Sequence, residues 1–317
     1  MAVNSFSILL SLVRGALWDC EPDRCTLEAL SLEEWMQVLD EARRQTVTGL
    51  VYMALEKYPV QLPEGLSMEL VRRVSQIARR SEGMRAAQAS LMSLFDGLNP
   101  VVMKGSVCAA RYPSPEMREA GDIDLYFGPR DYPAALGRIP VEYSRNADEG
   151  VSFFLDRRLV EIHSRYYDLH TGRVPEVASP EGELLMLAAH VFKHASGPGV
   201  GLRQICDFAL AYRAYDGDVS GVFRAAGMEK WLQVLLSFVH DYLDSSVRVE
   251  RYRDPRPLMR IVEGSGNFGH HTSSRLRSLG GSAFSRKADT AARILSRLPF
   301  AFRYSPREAF MRLRDLL

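Results

Sequence analysis

The chain has 317 residues, of which 46% are hydrophobic and 25% are charged, a composition typical of globular proteins with room for more than one domain. Its formal net charge is +1, so the whole molecule lacks the strong field that would indicate a nucleic-acid or membrane-surface partner. The four cysteines form no C-x-x-C pair and no zinc-type spacing with histidine, which favours a reduced, cytoplasmic protein.

The helical spacing of apolar residues predicts an N-terminal helical region over residues 1–97. Its first segment, FSILLSLVRGALW, is an apolar run that Arg14 interrupts, and we expect it to form an amphipathic helix. No apolar run in the chain approaches the roughly 20 residues that crossing a bilayer requires. We therefore expect no membrane association.

The pattern changes after residue 97, where short β-branched runs alternate with helix-compatible segments. A strand predicted in NPVVMKGS precedes a helix in VCAARY, and a strand predicted in DIDLYF precedes a helix in RDYPAALGRI. Three further strand-like runs follow: VEYSR, VSFFLD and LVEIHSRYY. These elements predict an α/β core of about 80 residues over 98–179.

The segment MKGS has the parts of a phosphate-binding turn ahead of a helix. Gly105 lets the backbone approach a ligand closely, and the following N–H groups, together with the Ser106 hydroxyl, can donate hydrogen bonds to phosphate oxygens. Lys104 adds a positive charge. Arg118 either contacts phosphate as well or pairs with a nearby acid.

Two aspartates stand one residue apart in the strand DIDLYF. Aspartate is depleted in strands because its side chain competes for backbone hydrogen bonds, so such a pair costs stability unless it is used. Strand side chains alternate between two faces, so Asp122 and Asp124 share one face while Ile123 and Leu125 point to the core. A capping role at the edge of the strand is the alternative interpretation.

A third carboxylate lies in the run LVEIHSRYY, where Glu161 and His163 share one face of the strand. Carboxylates that lie close together resist ionisation unless a cation neutralises them. Oxygen ligands from Asp and Glu favour Mg²⁺ or Mn²⁺ over zinc or copper. We therefore predict that Asp122, Asp124 and Glu161 bind divalent metal ions. His163 either orients Glu161, contacts a ligand bound beside it, or is a histidine whose hydrogen bonds are satisfied within the protein.

The helical period returns over residues 180–263, which we predict to be a helical domain that begins at Pro180. His190 and His194 lie four residues apart on one of its helices, but the run HVFKH lacks the glutamate of an H-E-x-x-H zinc site. For both histidines, a role in helix packing or in facing a bound ligand is favoured over zinc binding.

Residues 264–317 are predicted to be a Gly-rich loop, GSGNFGHHTSS, followed by a basic helical tail. Residues 270–317 contain ten lysines and arginines against three acids. Charge runs on helices are usually solvated faces, and we favour that interpretation. A surface for RNA is the alternative.

The order of these motifs resembles that of the polymerase-beta-like nucleotidyltransferase superfamily. More closely, MKGSVCAARYPSPEMREAGDIDLYF and VEIHSRYY are similar to an uncharacterised bacterial nucleotidyltransferase family that reads L-K-G, Tyr-Pro, R-x-x-x-D-I-D-L and E-x-H. The positions on that pattern are Arg118, Asp122, Ile123, Asp124, Leu125, Glu161 and His163. The resemblance implies an α+β fold, with a nucleotidyltransferase-type mixed β-sheet core and N-terminal and C-terminal helical regions. The chain has Glu161 where many superfamily members have a third Asp.

The resemblance also implies an enzyme that moves a nucleoside monophosphate from a nucleoside triphosphate, with ATP as the default, to a hydroxyl of an acceptor. The acceptor could be a small molecule, a protein or RNA. In this interpretation Mg²⁺ or Mn²⁺ is held by Asp122, Asp124 and Glu161, and the nucleotide is bound by Lys104, Gly105, Ser106, Arg118 and His163. One alternative is an inactive nucleotide- or partner-binding module. The other is an RNA-modifying or RNA-binding protein that uses the basic tail.

Overall fold

The computed structural model describes residues 4–145, 150–170, 172–267 and 295–314. Over these residues the protein has the expected α+β fold, with a five-stranded mixed sheet and helices on either side of it in the chain. Two compact units are present: Met1–Glu64 with Asp168–Leu317, called here the helical unit, and Gly65–Tyr167, called the sheet unit. None of the described helices is long and apolar enough to cross a membrane.

Helices α1 to α4 begin the helical unit. They are α1 (Ser5–Trp18), α2 (Arg24–Glu28), α3 (Leu32–Arg44) and α4 (Thr48–Lys57). Local signals set the starts of two of them. The Asn4 side chain accepts a hydrogen bond from the Phe6 N–H ahead of α1, and Ser31 and Glu34 form a capping box ahead of α3.

The sheet unit begins with a long helix and continues through the five strands. Its helices are α5 (Leu66–Leu94), α6 (Ser106–Ala109) and α7 (Tyr132–Arg138). Its strands are β1 (Val101–Val102), β2 (Asp122–Tyr126), β3 (Ser144–Arg145), β4 (Val151–Leu155) and β5 (Arg158–His163). The strand order is β1-β2-β5-β4-β3, in which β2 and β5 are parallel and the other pairs are antiparallel.

One face of the sheet forms the core of this unit. Ile123 and Leu125 of β2 are buried in the same cluster as Val160 and Ile162 of β5 and Leu91 of α5. The alternation predicted for the two strands is therefore confirmed. Because successive side chains alternate, the polar residues of β2 and β5 lie on the opposite face.

The first boundary between the units lies at residues 64 and 65, whereas the sequence predicted a boundary at 97 and 98. The difference arises because α5 packs on the sheet: Met84, Ala87 and Leu91 are buried against its strands. A helical period shows that a helix has an apolar face, but it does not show which surface that face covers.

The chain continues in the helical unit after Tyr167. The helices there are α8 (Pro180–Ala195), α9 (Leu202–Arg213), α10 (Ser220–Ala225), α11 (Glu229–Tyr242), α12 (Arg256–Ser265), α13 (residues 295–304) and α14 (Pro306–Arg314). Helix α12 ends at Ser265, so Gly264 is helical and does not begin the loop that the sequence predicted there. The remainder of that Gly-rich run, from residue 268, lies outside the described residues.

Candidate functional site

Strand pairing brings acidic side chains of β2 and β5 together on the polar face of the sheet. In this parallel pair Asp124 lies directly beside Glu161, and Tyr126 lies beside His163. One ligand atom each from Asp124, Glu161 and His163 lies within 4.8 Å of the others. Asp122, predicted as a ligand, stands two residues earlier on the same face and is not part of this close group.

Asp124 is the most enclosed member of the group. Its side chain is 2% exposed, and its Oδ1 lies 3.0 Å from Lys104 Nζ and 2.9 Å from His163 Nε2. Burial alone would raise the pKa of Asp124, but the Lys104 ammonium and the hydrogen bond with His163 outweigh it and hold that pKa well below its usual range. Asp124 is therefore an anion whose charge is compensated by its own neighbours.

Glu161 lies in an environment that disfavours its charged form. Burial, and then the negative charges of Asp124 and Asp122, raise the pKa of Glu161. Burial would lower the pKa of His163, but the hydrogen bond with Asp124 and the negative charge of Asp124 together outweigh that effect, so the pKa of His163 is raised as well. A carboxyl group with a raised pKa beside a buried anion is suited to accepting a proton.

The predicted phosphate turn has a special backbone but makes contacts inside the protein. Gly105 has φ 56° and ψ −110°, a backbone conformation that residues with a side chain rarely adopt. The helix after it, α6, has four residues, so few aligned peptide dipoles add to its N-terminus. Ser106 Oγ donates to Gln88 Oε1 at 2.8 Å, and Lys104 pairs with Asp124. Both side chains therefore have protein partners, and phosphate binding at this turn stays a prediction.

Five of the predicted site residues line one cavity of about 220 Å³ in the sheet unit. They are Gly105, Ser106, Arg118, Asp122 and Asp124. Helix α5 lines the same cavity through Arg85 and Gln88, two residues that the sequence analysis did not identify. No sequence signal marks them, because an amphipathic period does not reveal which polar residue borders a cavity.

The two histidines of α8 lie in a separate cluster in the helical unit. His190 Nδ1 lies 3.2 Å from Asp168 Oδ2, and Lys193 Nζ lies 2.7 Å from Asp168 Oδ1. Burial would raise the pKa of Asp168, but the hydrogen bond with His190 and the charge of Lys193 hold it well below the usual range. The rings of His190 and His194 pack edge to face at 4.4 Å. Among the described residues, only the group around Asp124 has the geometry of a metal site.

Two arginines of the basic tail are held within the helical unit. Arg297 Nη1 donates to the carbonyl oxygens of Ala195 and Gly197 at 3.2 and 3.0 Å, and Arg312 Nη2 donates to that of Asp168 at 3.2 Å. These guanidinium groups satisfy backbone acceptors, which is a structural role. The basic residues from 275 to 293 lie outside the described residues, so an RNA surface there stays a prediction.

Comparison with protein-family models gives a match. A family model described as an uncharacterised nucleotidyltransferase matches residues 31–244. That range extends from α3 to α11 and contains the whole sheet unit. No curated protein matches the chain, and no solved structure matches it.

Proposed function

The chain belongs to the uncharacterised nucleotidyltransferase family, and from this membership we propose that it transfers a nucleoside monophosphate from a nucleoside triphosphate to a hydroxyl group of an acceptor. The observation that carries the proposal is the placement of Asp124 directly beside Glu161 on neighbouring strands, with Asp122 on the same face. A nucleotidyl transfer needs such convergent carboxylates next to a place for phosphates.

The donor atoms at this position fit a divalent cation. Asp124 and Glu161 supply carboxylate oxygens, and Asp122 offers another on the same face. Oxygen donors of this kind suit Mg²⁺ and Mn²⁺. His163 is either a nitrogen ligand or the hydrogen-bond partner that orients Asp124. A cation bound there would neutralise phosphate charge and lower the pKa of the acceptor hydroxyl.

In the proposed reaction, the acceptor oxygen forms a bond to the α-phosphorus while the bond from that phosphorus to the pyrophosphate oxygen breaks. Glu161, directly beside Asp124, takes the hydroxyl proton as the general base. Lys104 offsets negative charge on the phosphates, and Gly105 allows the backbone to approach them. Phosphoryl-type transfer depends mostly on positioning and charge compensation, which these groups supply.

A second candidate function is nucleotide binding without transfer. Lys104 and His163 already compensate the charge of Asp124 inside the protein, so the site is electrostatically balanced without a cation. Such a module would bind a metal–nucleotide complex and release no pyrophosphate. Pyrophosphate release in the presence of water, glycerol or a ribonucleoside as acceptor separates the two functions.

Thermal unfolding with each of the four ribonucleoside triphosphates and Mg²⁺ or Mn²⁺ tests the proposed site. A ligand at about 100 times its dissociation constant adds about 2.7 kcal/mol to the free energy of unfolding, which gives a visible shift. We expect a metal-dependent shift in the wild type that Asp124→Asn abolishes.

Asp168→Asn is the matched control, because Asp168 is also a carboxylate held by a lysine and a histidine but lies in the helical unit. It should retain the shift. The absence of any shift with all four triphosphates, or its persistence in Asp124→Asn, would contradict the proposal.

A further inference from the structure

Phe154 lies on the sheet face that carries the carboxylates. Strand β4 pairs with β5 so that Ser152 is beside Glu161 and Phe154 is beside Leu159, and β2 pairs with β5 so that Asp122 is also beside Leu159. Residues directly beside each other on paired strands project from the same face of a sheet. The Phe154 ring and the candidate metal ligands therefore share one face.

The ring of Phe154 is open to solvent. It is 65% exposed, whereas its neighbour Phe153, which points to the other face, is 2% exposed and belongs to the core. Single exposed apolar residues are common on proteins, so exposure alone indicates nothing. The position is what distinguishes this ring: it is diagonal to Glu161 across the β4–β5 pair, a separation of about 7–8 Å that aromatic side chains can bridge.

We propose that Phe154 is a stacking platform for a nucleobase. This inference rests on the proposed function, because it adds a flat apolar surface beside a site that would hold phosphates. A ligand that contacts both the phosphate site and Phe154 needs a charged end and a planar end joined by a short spacer. A nucleotide has this form, because its ribose joins the phosphates to the base. Aromatic side chains stack on any nucleobase, because every base presents a π-face.

Strand order favours an acceptor as the source of this base. Gly105 follows β1 on one side of β2, and Phe154 lies on the other side, beyond β5. In an in-line displacement the attacking and leaving oxygens lie on opposite sides of the phosphorus. With pyrophosphate leaving toward Gly105 and Ser106, the hydroxyl approaches from the Glu161 side. A ribose hydroxyl approaching there would place its base over Phe154.

Calorimetric titrations of the full chain with Mn²⁺ test the platform. The ligands are inorganic tripolyphosphate, which has no base, each ribonucleoside triphosphate, and each ribonucleoside in the presence of tripolyphosphate. The variants are Phe154→Ala, Phe154→Leu, which keeps an apolar side chain without a ring, and Phe154→Tyr, which keeps the ring. Phe310→Ala is the control, since it removes a ring that is 60% exposed in α14 of the helical unit.

We expect Phe154→Ala and Phe154→Leu to raise the dissociation constant of a base-bearing ligand about 5- to 150-fold, the range found for loss of one stacked base. The dissociation constants of base-bearing ligands should stay within about twofold of the wild-type values in Phe154→Tyr and Phe310→Ala. The dissociation constant of tripolyphosphate should stay within the same range in every variant. A loss confined to the ribonucleosides assigns the base to the acceptor, and a loss with the triphosphates assigns it to the donor.

The inference is overturned if Phe154→Ala changes the dissociation constant of every base-bearing ligand by less than twofold. It is also overturned if Phe154→Leu binds these ligands as tightly as the wild type, or if the wild type binds none of them. Failure of the proposed function is a different result. It would appear as tripolyphosphate binding that needs no metal or that Asp124→Asn does not weaken, whatever Phe154 does.

Discussion

Asparagine at position 124 should destabilise the metal-free protein strongly. The side chains of Lys104 and Asp124 are 15% and 2% exposed and their charged atoms are 3.0 Å apart, so this ion pair is largely removed from water. Removing one partner of a buried pair leaves the other charge uncompensated and costs about 3–5 kcal/mol, whereas an exposed pair contributes about 0–1 kcal/mol. Because Lys104 keeps some exposure, we expect a loss of about 3 kcal/mol.

Urea unfolding at pH 7 with a chelator present measures this loss. Asp124→Asn preserves the shape of the side chain, so the change reports the charge and not a cavity. Lys104→Met and the double variant complete a cycle. The double variant has neither charge, so its loss should be smaller than the sum of the single losses by at least about 1 kcal/mol.

The exposed pair Arg43–Asp40 provides the control. Its atoms are 2.6 Å apart, but its side chains are 60% and 50% exposed. Asp40→Asn should therefore cost less than about 1 kcal/mol. If Asp124→Asn costs no more than Asp40→Asn, or if the Lys104 and Asp124 substitutions are additive, Asp124 is not a desolvated anion and the reasoning is refuted.

Three further variants test other parts of the structure. Glu161→Gln should raise the free energy of unfolding of the metal-free protein by about 0.5–2 kcal/mol, because burial and then the charges of Asp124 and Asp122 disfavour its ionised form. Pyrophosphate release should fall at least about 100-fold in the same variant, and a less stable protein in urea unfolding would contradict the argument. Gly105→Ala should cost about 1–3 kcal/mol from φ 56° alone, since within the described part of the chain no atom beyond the two adjoining residues lies within 4 Å of the added Cβ; an unchanged melting temperature would show that the turn relaxes freely. The folded-state pKa of Asp168 lies below its unfolded value of about 3.9, so its ionised form stabilises the protein above about pH 4 and that contribution is lost as the pH falls further. The difference in unfolding free energy between wild type and Asp168→Asn should therefore shrink from pH 7 to about pH 3. A constant difference would show that the ionised Asp168 does not stabilise the folded protein.

Local sequence was enough to predict the elements and the faces of the site. The alternation in β2 and β5 assigns Ile123 and Ile162 to the core and Asp124 and Glu161 to the other face, and the structure has this arrangement. The start of α8 at Pro180 also follows from sequence. Alternation and first-turn preferences depend only on neighbours along the chain, so they can be read without knowing the fold.

Tertiary structure alone decided which of these elements meet. The parallel pairing of β2 with β5 sets Glu161 beside Asp124 and brings His163, 39 residues away in sequence, to 2.9 Å from it. Packing of α5 on the β-sheet supplies Gln88 as the partner of Ser106, and the same fold directs Lys104 to Asp124. The physical reason is that pairing and packing depend on which apolar surfaces bury one another across the whole chain, whereas periodicity reveals only that each segment has such a surface.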